Sequence, residues 1–305
     1  MRTKITAFIF FANYFIGLLA VALAVETIFQ LELPFNTLYF YLFLFSATVL
    51  YYTRAYMSPP GNYVVNNPRT EWYNKHNNFI RKSQWVLLLV CIVTGALEFT
   101  PAVKGLDNIP FFYWVMILSV PIAAFLYYGL LPQSLFSLNL RNTGWLKPFI
   151  IGYVWAGCVS LFPVVMHVMK DDMHVQNPVL MLWLFIKNWM FCAVNAIMFD
   201  LKDYADDANK ELKTFVVRFG LRKTIYLILI PLLLIGFLSF IFFSLYNHFE
   251  IIIIALNLIP FISLLVVAFS LHRRKKILYY LIVIDGLLLV KAMCGITGML
   301  VLKYF

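Results

Sequence analysis

The sequence predicts an all-α membrane protein, a nine-span helical bundle forming one polytopic domain over residues 1–305, and three observations carry that prediction. Hydrophobic residues make up 63% of the chain and charged residues only 12%, against roughly a quarter charged in soluble domains. Nine apolar stretches each approach the ~20 residues that a helix needs to cross a bilayer core. The basic residues fall almost entirely in alternate connections, which is how a polytopic chain records its orientation.

Thr6–Phe29 is the first predicted span. It follows the basic Arg2 and Lys4, is long for a signal-peptide core and lacks a small-residue cleavage site, so it reads as a retained helix. Pro34–Tyr56 is the second and carries Arg54 near its end. A long polar break with Arg69, Lys75, Arg81 and Lys82 leads to the third, Ser83–Thr100. Lys104 separates it from Pro110–Leu131, and Arg141 and Lys147 lead into the fifth, Pro148–Val168. After Lys170 comes the sixth, Pro178–Phe199. A second long polar break, from Asp200 to Lys223, precedes Thr224–Tyr246. Glu250–Leu271 is the eighth, and the quartet Arg273, Arg274, Lys275 and Lys276 precedes the ninth, Leu278–Leu302.

With this division, 19 of the 24 Lys and Arg lie on the side of the N-terminus. Three, Lys104, Lys170 and Lys303, lie on the other side, and Lys187 and Lys291 fall within spans. The net charge of +10 is therefore an orientation signal rather than a nucleic-acid footprint. It predicts a multi-pass protein of the cell inner (plasma) membrane, N-terminus cytoplasmic and C-terminus outside. Cys91, Cys158, Cys192 and Cys294 all fall in predicted spans without metal-ligand spacing, and read as small packing residues.

The polar segment that leaves the sixth span carries Asp200, Asp203 and Asp207 at i, i+3 and i+7. On a helix that spacing puts three carboxylates on one face, where like charges repel unless a cation bridges them. Asp206 points off that face. Hard oxygen ligands suit Mg²⁺ or Ca²⁺, and Mg²⁺ commonly sits between one or two carboxylates and a substrate's phosphates. The pattern predicts a membrane enzyme that handles a diphosphate through a divalent metal.

The run from Asn195 to Gly220, NAIMFDLKDYADDANKELKTFVVRFG, resembles the second aspartate-rich motif of the UbiA superfamily of intramembrane prenyltransferases. That motif is Asp-x-x-Asp-x-x-x-Asp followed by Gly and then by Thr-x-Pro-Val-x-x-Gly. Asp200, Asp203 and Asp207 take the acidic places, and Thr214, Val217 and Gly220 take the Thr, Val and final Gly. Glu211 stands where Gly is usual and Val216 where Pro is usual. Lys147-Pro148, Trp155-Ala156 and Phe162-Pro163 are similar to a Lys…Trp-Ala…Leu-Pro pattern in bacterial members. The resemblance implies a UbiA-like nine-helix fold. It also implies Mg²⁺-dependent transfer of a prenyl chain from an isoprenoid diphosphate to a small acceptor, aromatic acceptors included.

The family's first motif, Asn-Asp-x-x-Asp-x-x-x-Asp, belongs at the end of the second span. Here that place reads Tyr51-Tyr52-Thr53-Arg54-Ala55-Tyr56, and the only acid between Arg54 and Lys82 is Glu71. Guanidinium groups bind phosphate bidentately, so Arg54 is the candidate to replace the missing metal site. Lys202, Lys213 and Arg218 are further candidates for the diphosphate, and Asn195, five residues before Asp200, for substrate binding. Tyr51, Tyr52 and Tyr56 supply aromatic faces that stabilise a carbocation. Ionisable groups inside spans are expensive and read as paired or functional: Asp285 is expected to pair with Lys187 or Lys291, and Glu26 to lie at the interface. Asn13 and His167 carry no decisive signal. The alternative to an enzyme is a catalytically impaired homologue acting as a lipid-binding or assembly protein, which the missing first motif favours. A transporter coupled through Asp285 and Lys291 is disfavoured, because matching halves with broken spans are not visible.

Overall fold

The computed structural model describes residues 2–54, 56–57, 68–128, 144–171, 173, 175, 177–209, 212–273 and 275–304. Among them there is no strand, and helix stands at each of the nine predicted positions. The helices are α1 Arg2–Phe11, α2 Tyr14–Gln30, α3 Leu38–Arg54, the short α4 Pro68–Lys75, α5 Asn77–Ala102 and α6 Phe111–Tyr128. There follow α7 Lys147–Asp171, α8 Pro178–Asn209, the short α9 Phe215–Phe219, α10 Leu221–Tyr246, α11 Ile251–Ser270 and α12 Ile277–Lys303. Six elements, beginning at Asn77, Lys147, Pro178, Leu221, Ile251 and Ile277, are long and apolar enough to cross a membrane; α2 and part of α6 are shorter apolar helices. The chain is a multi-pass, all-α membrane protein, and the count of nine crossings rests on the hydropathy of the sequence.

Apolar residues on every side of a helix leave packing to decide which helices are interior. In their most apolar windows α7 and α8 are 61% and 67% buried, whereas α5 and α10 are each 22% buried. The first pair is therefore the heart of the bundle. The second turns residues such as Trp85, Leu89, Leu238 and Phe242 outward. α7 lies along α8, α2 runs between α3 and α12, and α11 packs on α12. Small residues permit the closest approach, as is usual where lipid supplies no hydrophobic drive between helices. A Cβ on Gly152 of α7 would stand only 2.7 Å from the Trp189 carbonyl oxygen of α8.

The first predicted span is not one helix. It breaks at Asn13, whose φ of 65° is left-handed, a region Asn tolerates better than most residues. The break frees backbone carbonyls, which must find donors inside a bundle. Arg69 of α4 supplies them: its Nε and Nη2 donate to the Phe11 carbonyl at 3.1 and 2.8 Å, and Nη2 also donates to Asn13 Oδ1. Tyr73 donates to the same carbonyl at 3.0 Å, and Asn13 Nδ2 donates to Thr53 Oγ1 at 3.1 Å. Asn13, unremarkable in the sequence, is the hub that ties α1, α2, α3 and α4 together.

Three helices carry a π-helical turn: Gly157–Leu161 in α7, Ile225–Leu229 in α10 and Tyr280–Ile284 in α12. Such turns cluster at functional positions because they re-aim the side chains around them. The last ends immediately before Asp285.

Candidate active site

The candidate site is built where α8 outruns its apolar segment. Asp200 and Asp203 stand one turn apart on that helix. Asp200 is 2% exposed, and Lys147 Nζ, at the start of α7, lies 2.7 Å from its Oδ1. Asp203 is partly exposed and takes Lys202 Nζ on Oδ1, also at 2.7 Å. Asp207 follows on the same helix, but its side chain, like that of Asp206, lies outside the described residues.

Deeper along α8, buried Asn195 donates from Nδ2 to Asp285 Oδ1 of α12 at 3.4 Å. Its Oδ1 is buried without a partner among the described residues. Tyr280, one turn before Asp285, packs on Phe199 with ring centroids 6.0 Å apart. On the facing helices, Trp155 Nε1 of α7 donates to Tyr52 Oη of α3 at 2.6 Å.

The sequence placed several of these groups differently. Asp285 does not pair with Lys187 or Lys291: Lys291 binds Glu26 at 2.6 Å, and Lys187 donates to Asn257 at 2.7 Å. Glu26 is not interfacial but 1% exposed, because α2 and α12 press it against that lysine. Arg54 ends α3 exposed, and among the described residues it makes no hydrogen bond or ion pair to α8. The buried guanidinium that the first polar connection contributes is Arg69, with Tyr56 Oη accepting from its Nη1 at 3.0 Å. Lys213 and Arg218 are exposed beyond the end of α8, Arg218 lying over the ring of Phe219. In the sequence Lys147 belongs to a Lys-Pro pattern that does not mark it as a site residue. Only the fold shows it reaching Asp200.

The connection after α8 explains the rest of the motif. Thr214 caps α9, its Oγ1 accepting from the Val217 N–H at 3.4 Å. Gly220 then takes φ 78° and ψ 164°, a conformation open essentially to glycine alone, and turns the chain into α10.

Among the described residues no group of three or more His, Cys, Asp or Glu is placed to hold a metal ion. The donor chemistry nonetheless fits Mg²⁺. Two carboxylates one turn apart, with Lys147 and Lys202 beside them, are hard oxygen donors of the kind that Mg²⁺ takes together with water and phosphate oxygens.

The bundle is apolar, and carboxylates and lysines gather at the end where α8 leaves its apolar segment. The model of the UbiA prenyltransferase family matches residues 80–277, well over half of the chain, and the chain belongs to that family. The matched stretch contains Lys147 and the whole segment from Asn195 to Gly220, and starts beyond Arg54 and Arg69. Neither a curated protein nor a solved structure matches the chain.

Proposed function

We propose that the protein transfers a prenyl group from an isoprenoid diphosphate to a small acceptor, aromatic acceptors included, at the Asp200 end of the bundle. The observation that carries this reading is the buried Asp200 beside Lys147, one turn from Asp203, in a chain of the UbiA family. Asp200, Asp203 and Asp207 would hold Mg²⁺, which when bound neutralises charge developing on the leaving diphosphate. Lys147 and Lys202 balance the carboxylates before substrate arrives, and are positioned to turn their N–H groups to phosphate oxygens when it does. Arg54, Lys213 and Arg218, exposed at the same end, draw the anionic headgroup in from the cytoplasmic side. Asn195 offers an amide for the substrate next to Asp285. Tyr52 and Trp155 give a water-poor, electron-rich wall for the cationic carbon.

A second reading, a catalytically impaired homologue that binds lipid or assists assembly, draws on the same site. Asp200 and Asp203 each already have a lysine, and the first polar connection supplies no aspartates. Incubating the purified protein with Mg²⁺ and prenyl diphosphates of several chain lengths separates the two. Pyrophosphate release that grows with an added aromatic acceptor supports the enzyme, and binding without release supports the homologue.

A further inference from the structure

At the end of the bundle opposite Asp200, α2, α8, α10, α11 and α12 enclose a cavity of about 290 Å³. Its charges are polarised. Glu32 and Glu250 stand exposed at the rim, whereas Lys187, 6% exposed, and Asn257, 4% exposed, close the floor. Glu250 immediately precedes α11, two turns before Asn257, so rim and floor are about 10 Å apart. The Lys187 Nζ lies 5.2 Å from the centre of the Trp183 ring and 5.5 Å from that of Phe240, both of which line the cavity.

Among the described residues Lys187 makes one hydrogen bond, to Asn257 Oδ1 at 2.7 Å, out of the three that an ammonium can donate. Among the described residues no carboxylate pairs with it. The neighbouring Glu26 is held by Lys291. A buried cation with unused donors is costly at this depth, and aromatic faces offset only part of that cost. An incoming anionic oxygen would complete its shell. The acidic rim, in turn, favours a positive group at the outer end of the same ligand. The volume, at the small end of ligand pockets, suits one ring with short substituents.

We propose that this cavity is a binding site for a small dipolar molecule with an apolar body, whose anionic oxygens meet Lys187 and whose cationic group meets Glu32 and Glu250. The site is separate from the one proposed for prenyl transfer. Lys187 precedes Asp200 by about 20 Å along α8.

The test uses the full chain in lipid nanodiscs and titration calorimetry with 4-(aminomethyl)benzoate, benzoate and benzylamine. The dipolar probe should bind at least ten-fold more tightly than either singly charged one. Lys187→Met keeps most of the side-chain volume, removes the donors, and should weaken the probe at least ten-fold. Glu32→Gln with Glu250→Gln should erase the preference for the dipolar probe over benzoate. Because Lys187→Met alters a buried position, Leu180→Trp provides a second route, filling the cavity from its wall while leaving Lys187 in place, and should abolish binding. Thermal unfolding without probe checks that each variant is folded. Absence of millimolar binding by the parent overturns the proposal, as does benzylamine binding as tightly as the dipolar probe. Binding that survives in a folded Lys187→Met or Leu180→Trp protein overturns it too.

Discussion

Lys147 and Asp200 meet at 2.7 Å, joining the first residue of α7 to the place where α8 leaves its apolar segment. The carboxylate is almost fully buried, so the lysine is its principal charge balance. Buried charges separated from their partners are strongly destabilising, while removal of both is tolerated far better.

Lys147→Met is expected to destabilise the protein by about 2 kcal/mol, less than a fully buried pair would lose because the lysine is partly solvated. The double variant with Asp200→Asn should recover most of that loss. If Asp200 also takes Mg²⁺, added Mg²⁺ should raise the melting temperature of Lys147→Met more than that of the parent, and leave the double variant unmoved. Differential scanning fluorimetry in detergent reads all three.

Asp203→Asn should weaken Mg²⁺-dependent diphosphate binding at least ten-fold, because it removes a hard oxygen ligand on the face shared with Asp200 and Asp207. Asp206→Asn, off that face, should change it less than two-fold. Equal effects in a radiolabelled-diphosphate binding assay would dismiss the one-face arrangement.

The two arginines of the first polar connection should separate cleanly. Arg69→Ala breaks the hydrogen bonds to Phe11, Asn13 and Tyr56 and should cost about 3 kcal/mol of stability. Arg54→Ala should leave stability unchanged within about 0.5 kcal/mol, as expected of an exposed side chain. If Arg54 binds the diphosphate, its alanine variant loses affinity and its lysine variant loses less. Affinity equal to the parent's would remove Arg54 from the site.

Glu26 and Lys291 form a pair in which each residue is 1% exposed. Lys291→Met should cost about 3–5 kcal/mol by stranding the carboxylate, and adding Glu26→Gln should restore most of it. A thermal-melt cycle that turns out additive would mean that the two do not act as a pair.

Fusion of a reporter active only in the cytoplasm should be silent after Phe305 and active in the connection between Asp200 and Lys223. Activity at the C-terminus would defeat the nine-crossing topology.

The sequence by itself determined the class of protein and the shared face of two carboxylates at one end of it. Length and apolarity specify helices that must satisfy their own backbone in lipid, and that local requirement holds wherever the helices pack. Asp200 and Asp203 share a face because helical periodicity puts them there, and the glycine at 220 is needed for a backbone conformation that is itself local. Pairing was another matter. Glu26 finds Lys291, Asn195 finds Asp285, Lys147 finds Asp200, and Arg69 rather than Arg54 enters the bundle. Those partners are separated by tens to hundreds of residues. Which cation answers which buried carboxylate depends on how the helices are rotated and how deep each lies, and helices apolar on every face carry almost no signal of either. Only the tertiary structure decided it.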